Sequence, residues 1–145
     1  MTSDSSEQLL QQLDDAAPGV RARAATALHA RSHPAALAAC MKTLDDAPDI
    51  LHADRTPAVS CLIEIGQPAL APLLDALAAP SATTRLHAQR AVEGITRRLR
   101  GFDGRAWTGG TADDWIRWWG TIGYAHDGPE AAREQAIARL RAWKP

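Results

Sequence analysis

Residues 65–77 read Ile65-Gly66-Gln67-Pro68-Ala69-Leu70-Ala71-Pro72-Leu73-Leu74-Asp75-Ala76-Leu77, and residues 85–95 read Arg85-Leu86-His87-Ala88-Gln89-Arg90-Ala91-Val92-Glu93-Gly94-Ile95. In the first stretch Leu70, Leu73, Leu74 and Leu77 stand at i, i+3, i+4 and i+7, the spacing of one buried face on an α-helix. In the second, Ala88, Ala91, Val92 and Ile95 repeat that spacing with smaller side chains, which lets a second helix lie close to the first. Ala79-Pro80-Ser81 breaks the chain between them, and Gly66-Gln67-Pro68 breaks it from what precedes. Pro68 suits a first helical turn, where its missing N–H costs nothing. The stretch is a helical hairpin.

The same unit occurs twice more. Leu9-Leu10-Gln11-Gln12-Leu13 and Cys40-Met41-Lys42-Thr43-Leu44 match Leu73–Leu77. Arg21-Ala22-Arg23-Ala24-Ala25-Thr26-Ala27-Leu28 and Arg55-Thr56-Pro57-Ala58-Val59-Ser60-Cys61-Leu62 match Arg85–Val92. Leu13 and Leu77 each lie 8 residues before their arginine, whereas Leu44 lies 11 before Arg55, so the middle unit carries three extra residues. They fall within Asp45–Arg55, where Asp45, Asp46, Pro48 and Asp49 predict a loop. One hairpin leaves an apolar face uncovered, so the units must stack. The reading is a single domain over 1–145, with repeats at 6–31, 34–66 and 67–96, a loop at 97–110 and a helical cap at 111–145.

The whole composition agrees. The chain has 145 residues, with 30 Ala and 15 Leu but only three Val, one Phe and one Tyr. That mixture favours helix over strand. The net charge of -1 argues against a polyanion binder acting over its whole surface. No apolar run approaches the roughly 18 residues a membrane span needs. Met1–Asp15 holds acids and no basic side chain, unlike a secretory signal. Cys40 and Cys61 are too few for a disulfide scaffold and read as reduced core thiols. A cytoplasmic protein is expected.

Beyond Ile95 the pattern changes. Residues 97–111 mix Arg97, Arg98, Arg100 and Arg105 with Gly101, Gly104, Gly109 and Gly110, which reads as a flexible connection. Thr111-Ala112-Asp113-Asp114 then opens a helix with an N-cap and first-turn acids. Trp115, Trp118 and Trp119 share one face of it, and Gly120 or Gly123 ends it. A last helix runs from about Pro129 to Trp143 with Ala132, Ala136, Ile137 and Leu140 inward.

These hairpins resemble HEAT repeats, particularly the short bacterial kind also seen in phycobilin-lyase-like proteins, and the match covers residues 6–96. The Gly-Phe-Asp stretch at 101–103 and the Trp-rich helix after it resemble the ending of small proteins of that kind. The resemblance implies an all-α, right-handed, armadillo-like α-solenoid of three hairpins plus a Trp-rich cap. It implies that Arg21, Arg55 and Arg85 form a ladder bonded to acids or carbonyls of neighbouring units. It also implies that the second helices line a concave binding face. There the positions off the core stripe include Arg23, Thr26, Ser60, Glu64, His87, Arg90 and Arg97. The aromatic residues Trp107 and Trp115 make a candidate contact point beside the cap.

Little in the sequence points to chemistry. The glycine-rich stretch 101–110 lacks a nucleotide loop's spacing and lysine, and no Gly-x-Ser-x-Gly elbow occurs. His29 and His33 stand at i, i+4 with no third ligand nearby, so no metal is assigned. The acid pairs Asp14-Asp15, Asp45-Asp46 and Asp113-Asp114 lie at helix ends and turns. The expectation is therefore a non-catalytic protein–protein interaction module, an adaptor or regulatory subunit, with no cofactor. Its expected partner is another protein or an acidic peptide. Residues 85–105 hold six arginines against Glu93 and Asp103, so nucleic-acid binding stands as the alternative, disfavoured by net charge and only two lysines. An accessory role in a lyase-like enzyme system is the third reading.

The helical register is open to test. Ala91→Arg places a charge between packed helices and should leave the chain unfolded in thermal circular dichroism; an unchanged Tm would place the core stripe elsewhere.

Overall fold

In a computed structural model, residues 4–145 are described and form eight α-helices. Three hairpins come first: α1 (Ser6–Gln12) with α2 (Pro18–Ala30), α3 (Ala36–Lys42) with α4 (Pro57–Ile65), and α5 (Leu70–Ala76) with α6 (Ala82–Leu99). A single 3-10 turn, Gln67–Ala69, leads into α5. A closing pair follows, α7 (Ala112–Ile122) and α8 (Glu130–Ala142).

The helix starts have the local chemistry the sequence provides. The Ser5 hydroxyl accepts from the Gln8 N–H, while the Gln8 side chain accepts from the Ser5 N–H, a complete capping box. Thr56, Ser81 and Thr111 cap α4, α6 and α7 with their hydroxyls. Pro18 and Pro57 occupy first helical positions. Gly123, at φ 77°, closes α7 in the left-handed conformation.

The expected stripes form one continuous core. Leu28, Leu62 and Val92, aligned in the three repeats, are all fully buried, as are Leu73, Leu77, Ala88, Ala91 and Ile95. Second helices pack directly on one another, α2 on α4 and α4 on α6, while the first helices α1, α3 and α5 meet each other far less. This closer-packed row, α2, α4 and α6, is called the inner row. Small residues allow the approach. A Cβ on Gly94 of α6 would lie 2.3 Å from Ile63 Cδ1 of α4, so the two helices touch where α6 has no side chain.

The cap is keyed to the third repeat by polar groups as well as apolar ones. α8 packs on α5. The buried Tyr124 hydroxyl donates to Leu77 O at 2.7 Å, and the Trp115 indole N–H donates to Thr96 Oγ1 at 3.0 Å. Ala136, Ile137 and Leu140 face inward as expected, but Ala132 is exposed, because α8 meets the core only from its second turn onward.

Two sequence expectations change here. The connection after the third repeat begins at Arg100, since α6 continues through Leu99. Nor is that connection a flexible link. Phe102 and Trp107 form an antiparallel bridge, the Thr108 N–H donates to Gly101 O at 2.8 Å, and the Asp103 carboxylate accepts from the N–H groups of Arg105 and Ala106. Gly101, at φ 114°, crosses Gly109 so closely that a Cβ would lie 2.8 Å from Gly109 N. The glycines there permit two strands of backbone to touch.

Burial pushes the Tyr124 phenol up to about 12 from its ordinary 10. The neutral phenol is therefore the form the fold prefers. Its stabilising effect is whole below pH 10 and is lost as pH rises from 10 towards 12. Tyr124→Phe should flatten the fall in Tm over that range and cost about 1 kcal/mol at pH 7 for the lost hydrogen bond. Thermal melts of both proteins across that range decide it.

Candidate functional site

Along the inner row the side chains of α2, α4 and α6 border a groove. At its first end Gly19, Ala22, Ala27 and Ala30 of α2 meet Ala47 and Pro57, giving a mostly apolar floor. In the middle Thr26 and His29 of α2 face Ser60, Cys61 and Glu64 of α4. At the far end Ser60, Ile63 and Glu64 face Gly94, Arg97 and Arg98 of α6, with Arg55, Phe102 and Gly104 closing a cavity of about 220 Å³. Ser60 and Glu64 belong to both halves and join them.

Most of the sequence-assigned residues meet here. Arg23, Thr26, Ser60, Glu64 and Arg97 all line the groove. Glu64 is held by His29, whose Nε2 lies 2.6 Å from Oε2. The two histidines once paired as metal-ligand spacing point elsewhere: His33 Nδ1 accepts from the Ala35 N–H. Among the described residues no three His, Cys, Asp or Glu side chains converge on one point.

Among the contact assignments, those of His87, Trp115 and Arg90 need correction. His87 does not face the groove; it is only 1% exposed. Its Nδ1 lies 2.7 Å from Asp45 Oδ1 and its Nε2 3.0 Å from Ala53 O, so it anchors the middle loop to α6. Trp115 is buried beneath Arg97, whose guanidinium carbon sits 4.0 Å from the ring centroid, and it stacks on Trp119 at 5.5 Å. It belongs to the cap's core. Trp107 is half-buried and leans on Phe102 at 5.2 Å. Arg90 is committed within the fold: its Nε donates to Asp54 at 2.7 Å and its Nη1 to the buried Glu93 at 2.8 Å.

The arginine ladder has two rungs. Arg21 donates to Asp15 O and Ala16 O of its own turn and reaches Asp46 of the next unit with both Nε and Nη2, at 2.8 and 2.9 Å. Arg85 repeats this with Ala79 O and Pro80 O, and reaches His126 O of the cap. Arg55 does neither. The extra residues of the middle loop delay the start of α4 until Pro57, so Arg55 precedes the Thr56 cap, whereas Arg21 and Arg85 are the fourth residues of their helices. Its guanidinium turns to the groove instead.

Both thiols are free and buried in the core, as the sequence reading expects, and Cys61 also borders the groove. Cys40 of α3 and Cys61 of α4 are neighbouring buried thiols, and Cys61 Sγ also lies 4.0 Å from Thr26 Oγ1. Their mutual interaction pulls Cys61 down from the ordinary thiol value and pushes Cys40 up, burial adding to the rise at Cys40; Thr26 and the nearby His29 add to the fall at Cys61. Cys40 is fully buried, while Cys61 opens on the groove wall. Nothing in the spacing of two cysteines 21 positions apart signals this.

Because Glu93 is buried and held by Arg90 and Gln89, Arg90→Glu should destabilise the fold by about 1–3 kcal/mol by stranding a carboxylate. Urea unfolding of this variant beside Arg23→Glu, which faces open groove, measures the difference; Arg23→Glu should change stability by less than about 0.5 kcal/mol.

A family model for HEAT repeats matches residues 6–93. No curated protein and no solved structure matches the chain. The aligned stripes, the paired helices and the repeated arginine rungs account for that match over more than half the chain, which belongs to the HEAT-repeat family.

Proposed function

We propose that this chain is a non-catalytic interaction module whose inner groove, along α2, α4 and α6, takes one segment of a partner protein. HEAT repeats generally mediate protein–protein interaction and typically act as scaffolds rather than catalysts. The observation that carries the reading is the groove's continuity. It runs from an alanine-lined apolar floor at α2, through a middle that shares Thr26, Ala30 and Pro57 with that floor, to a guanidinium-lined end at α6 that shares Ser60 and Glu64 with the middle. A small apolar floor with charge at one end suits an amphipathic segment better than a small-molecule substrate. Three repeats present a short surface, which fits a single segment. The described residues include no single helix long and apolar enough to cross a membrane.

Nucleic acid is the less favoured occupant. The arginines at the far end are flanked by Glu64, Asp54 and Glu93, and the net charge is -1. A phosphate backbone needs a longer uninterrupted basic track, and its binding would fall steeply between 50 and 200 mM salt.

The test fills the groove. Ser60 is exposed at its midpoint, so Ser60→Trp should leave Tm within about 2 °C of the parent. The tagged protein is captured from its native lysate with nuclease present. A stoichiometric protein is expected with the parent and should be retained at least ten-fold less by Ser60→Trp. Equal retention by both, or recovery only without nuclease, would remove the groove as the contact site.

A further inference from the structure

The far end of the groove contains positive charge that no carboxylate of the fold pairs with. Arg55, Arg97 and Arg98 all line the same cavity of about 220 Å³. Among the described residues none of these three side chains donates a hydrogen bond or joins an ion pair, in contrast to Arg21, Arg85 and Arg90, which are fully engaged. Arg55 and Arg98 are exposed and Arg97 has no buried, unpartnered nitrogen, so the free donors face the cavity and solvent rather than the core. Two of the three are braced by neighbours. The Arg97 guanidinium carbon sits 4.0 Å from the ring centroid of Trp115, whose indole N–H donates to Thr96. Arg98 packs over Gly104, where a Cβ would meet its Nη2 at 3.4 Å.

Holding these charges together is unfavourable in the empty groove. Burial keeps the Arg97 guanidinium below its ordinary value, and the positive charges of Arg55 and Arg90 press the same way, against Glu93 alone. The nearest carboxylate of the cavity wall, Glu64, is bound to His29 on the other side. An incoming anion relieves the repulsion and accepts charge-assisted hydrogen bonds from planar donors already in place.

We infer that the cavity between α4, α6 and the 100–110 connection is a carboxylate-binding pocket that receives an acidic side chain of the partner segment. The pocket's size suits one carboxylate and its stem, and the apolar floor beyond Ser60 receives the rest of the segment. The inference rests on the groove reading above and gives it a chemical class: an acidic peptide with small apolar residues beside the acid. Flanking Asp54, Glu64 and Glu93 oppose an extended polyanion, which favours peptide over nucleic acid.

The probe is hexaglutamate titrated into the intact chain, observed through the arginine Nε–H signals in 15N-resolved NMR. The Arg55, Arg97 and Arg98 signals should move together and saturate, while those of Arg21 and Arg85, bonded within the fold, stay fixed. Arg55→Gln with Arg98→Gln should weaken binding at least five-fold with Tm unchanged. The inference is overturned if no saturable shift occurs, or if the surface arginines Arg117 and Arg141 move equally. Tighter binding of hexathymidylate at matched salt, or of inorganic phosphate, would overturn it in favour of a phosphate site. The two readings fail separately. Loss of the lysate partner with Ser60→Trp, beside unaltered hexaglutamate and partner binding by the arginine double variant, removes the pocket and keeps the groove. Partner retained by Ser60→Trp, beside weakened hexaglutamate binding by the double variant, does the reverse.

Discussion

Two adjacent carboxylates hold the stack in register. Asp46 receives both nitrogens of Arg21 from the first repeat. Asp45, next in the chain, receives His87 and the Thr84 hydroxyl from the third. The middle loop therefore grips the units on either side of it. Apolar stripes of alanine and leucine slide easily, because one small side chain resembles the next; their burial supplies most of the stabilisation but little positional choice. A buried histidine and a two-pronged arginine tolerate no such sliding, since a shifted register would leave donors and acceptors unpaired. The three-residue insertion that breaks the repeat is what brings both carboxylates into reach.

The same insertion explains the groove. It starts α4 late, so the arginine that serves as a rung in the first and third repeats stands ahead of the helix in the second. Its place in the wall is taken by Thr56, whose hydroxyl donates to Leu44 O and accepts from the Val59 N–H. Arg55 is thereby released to the inner face beside Arg97 and Arg98. One irregular repeat thus turns a structural cation into a surface one. The loop also leaves Ile50 and Leu51 almost wholly exposed, more so than any large apolar residue of the helices.

How much of this the sequence displays depends on periodicity. Leu28, Leu62 and Val92 are legible as core because helical burial recurs at a fixed interval, and the hairpin boundaries are legible because Pro, Gly, Ser and Thr act locally. The Arg21 and Arg85 rungs come from the family resemblance; the carbonyls of their own turns lie close by in sequence, but Asp46 and His126 O lie far along the chain. Cross-repeat polar bonds have no such interval. His87 looks like any residue off the stripe, yet the loop folds over it; Trp115 looks exposed until Thr96, nineteen positions earlier, accepts its N–H. Arg90 reads as a free contact residue because neither Asp54 nor the burial of Glu93 is marked in the pattern. The glycines of 101–110 read as slack for the same reason, since a close crossing and a flexible tether have equal composition.

The groove's polarity follows from where the fold consumes charge. At the α2 end Arg21 points away to Asp46, and the inner face is left with alanine, threonine and the single cation Arg23. In the middle, His29 and Glu64 neutralise each other across α2 and α4. At the α6 end the available acids are already taken: Glu93 by Arg90 and Gln89, Asp54 by Arg90, and Asp103 by backbone N–H groups of its own turn. With every nearby acid engaged, Arg55, Arg97 and Arg98 have no internal counter-charge to collapse onto. Because the aligning arginines have consumed the local acids, an unpaired basic cluster remains on the inner face, and that imbalance is what the proposed carboxylate pocket rests on.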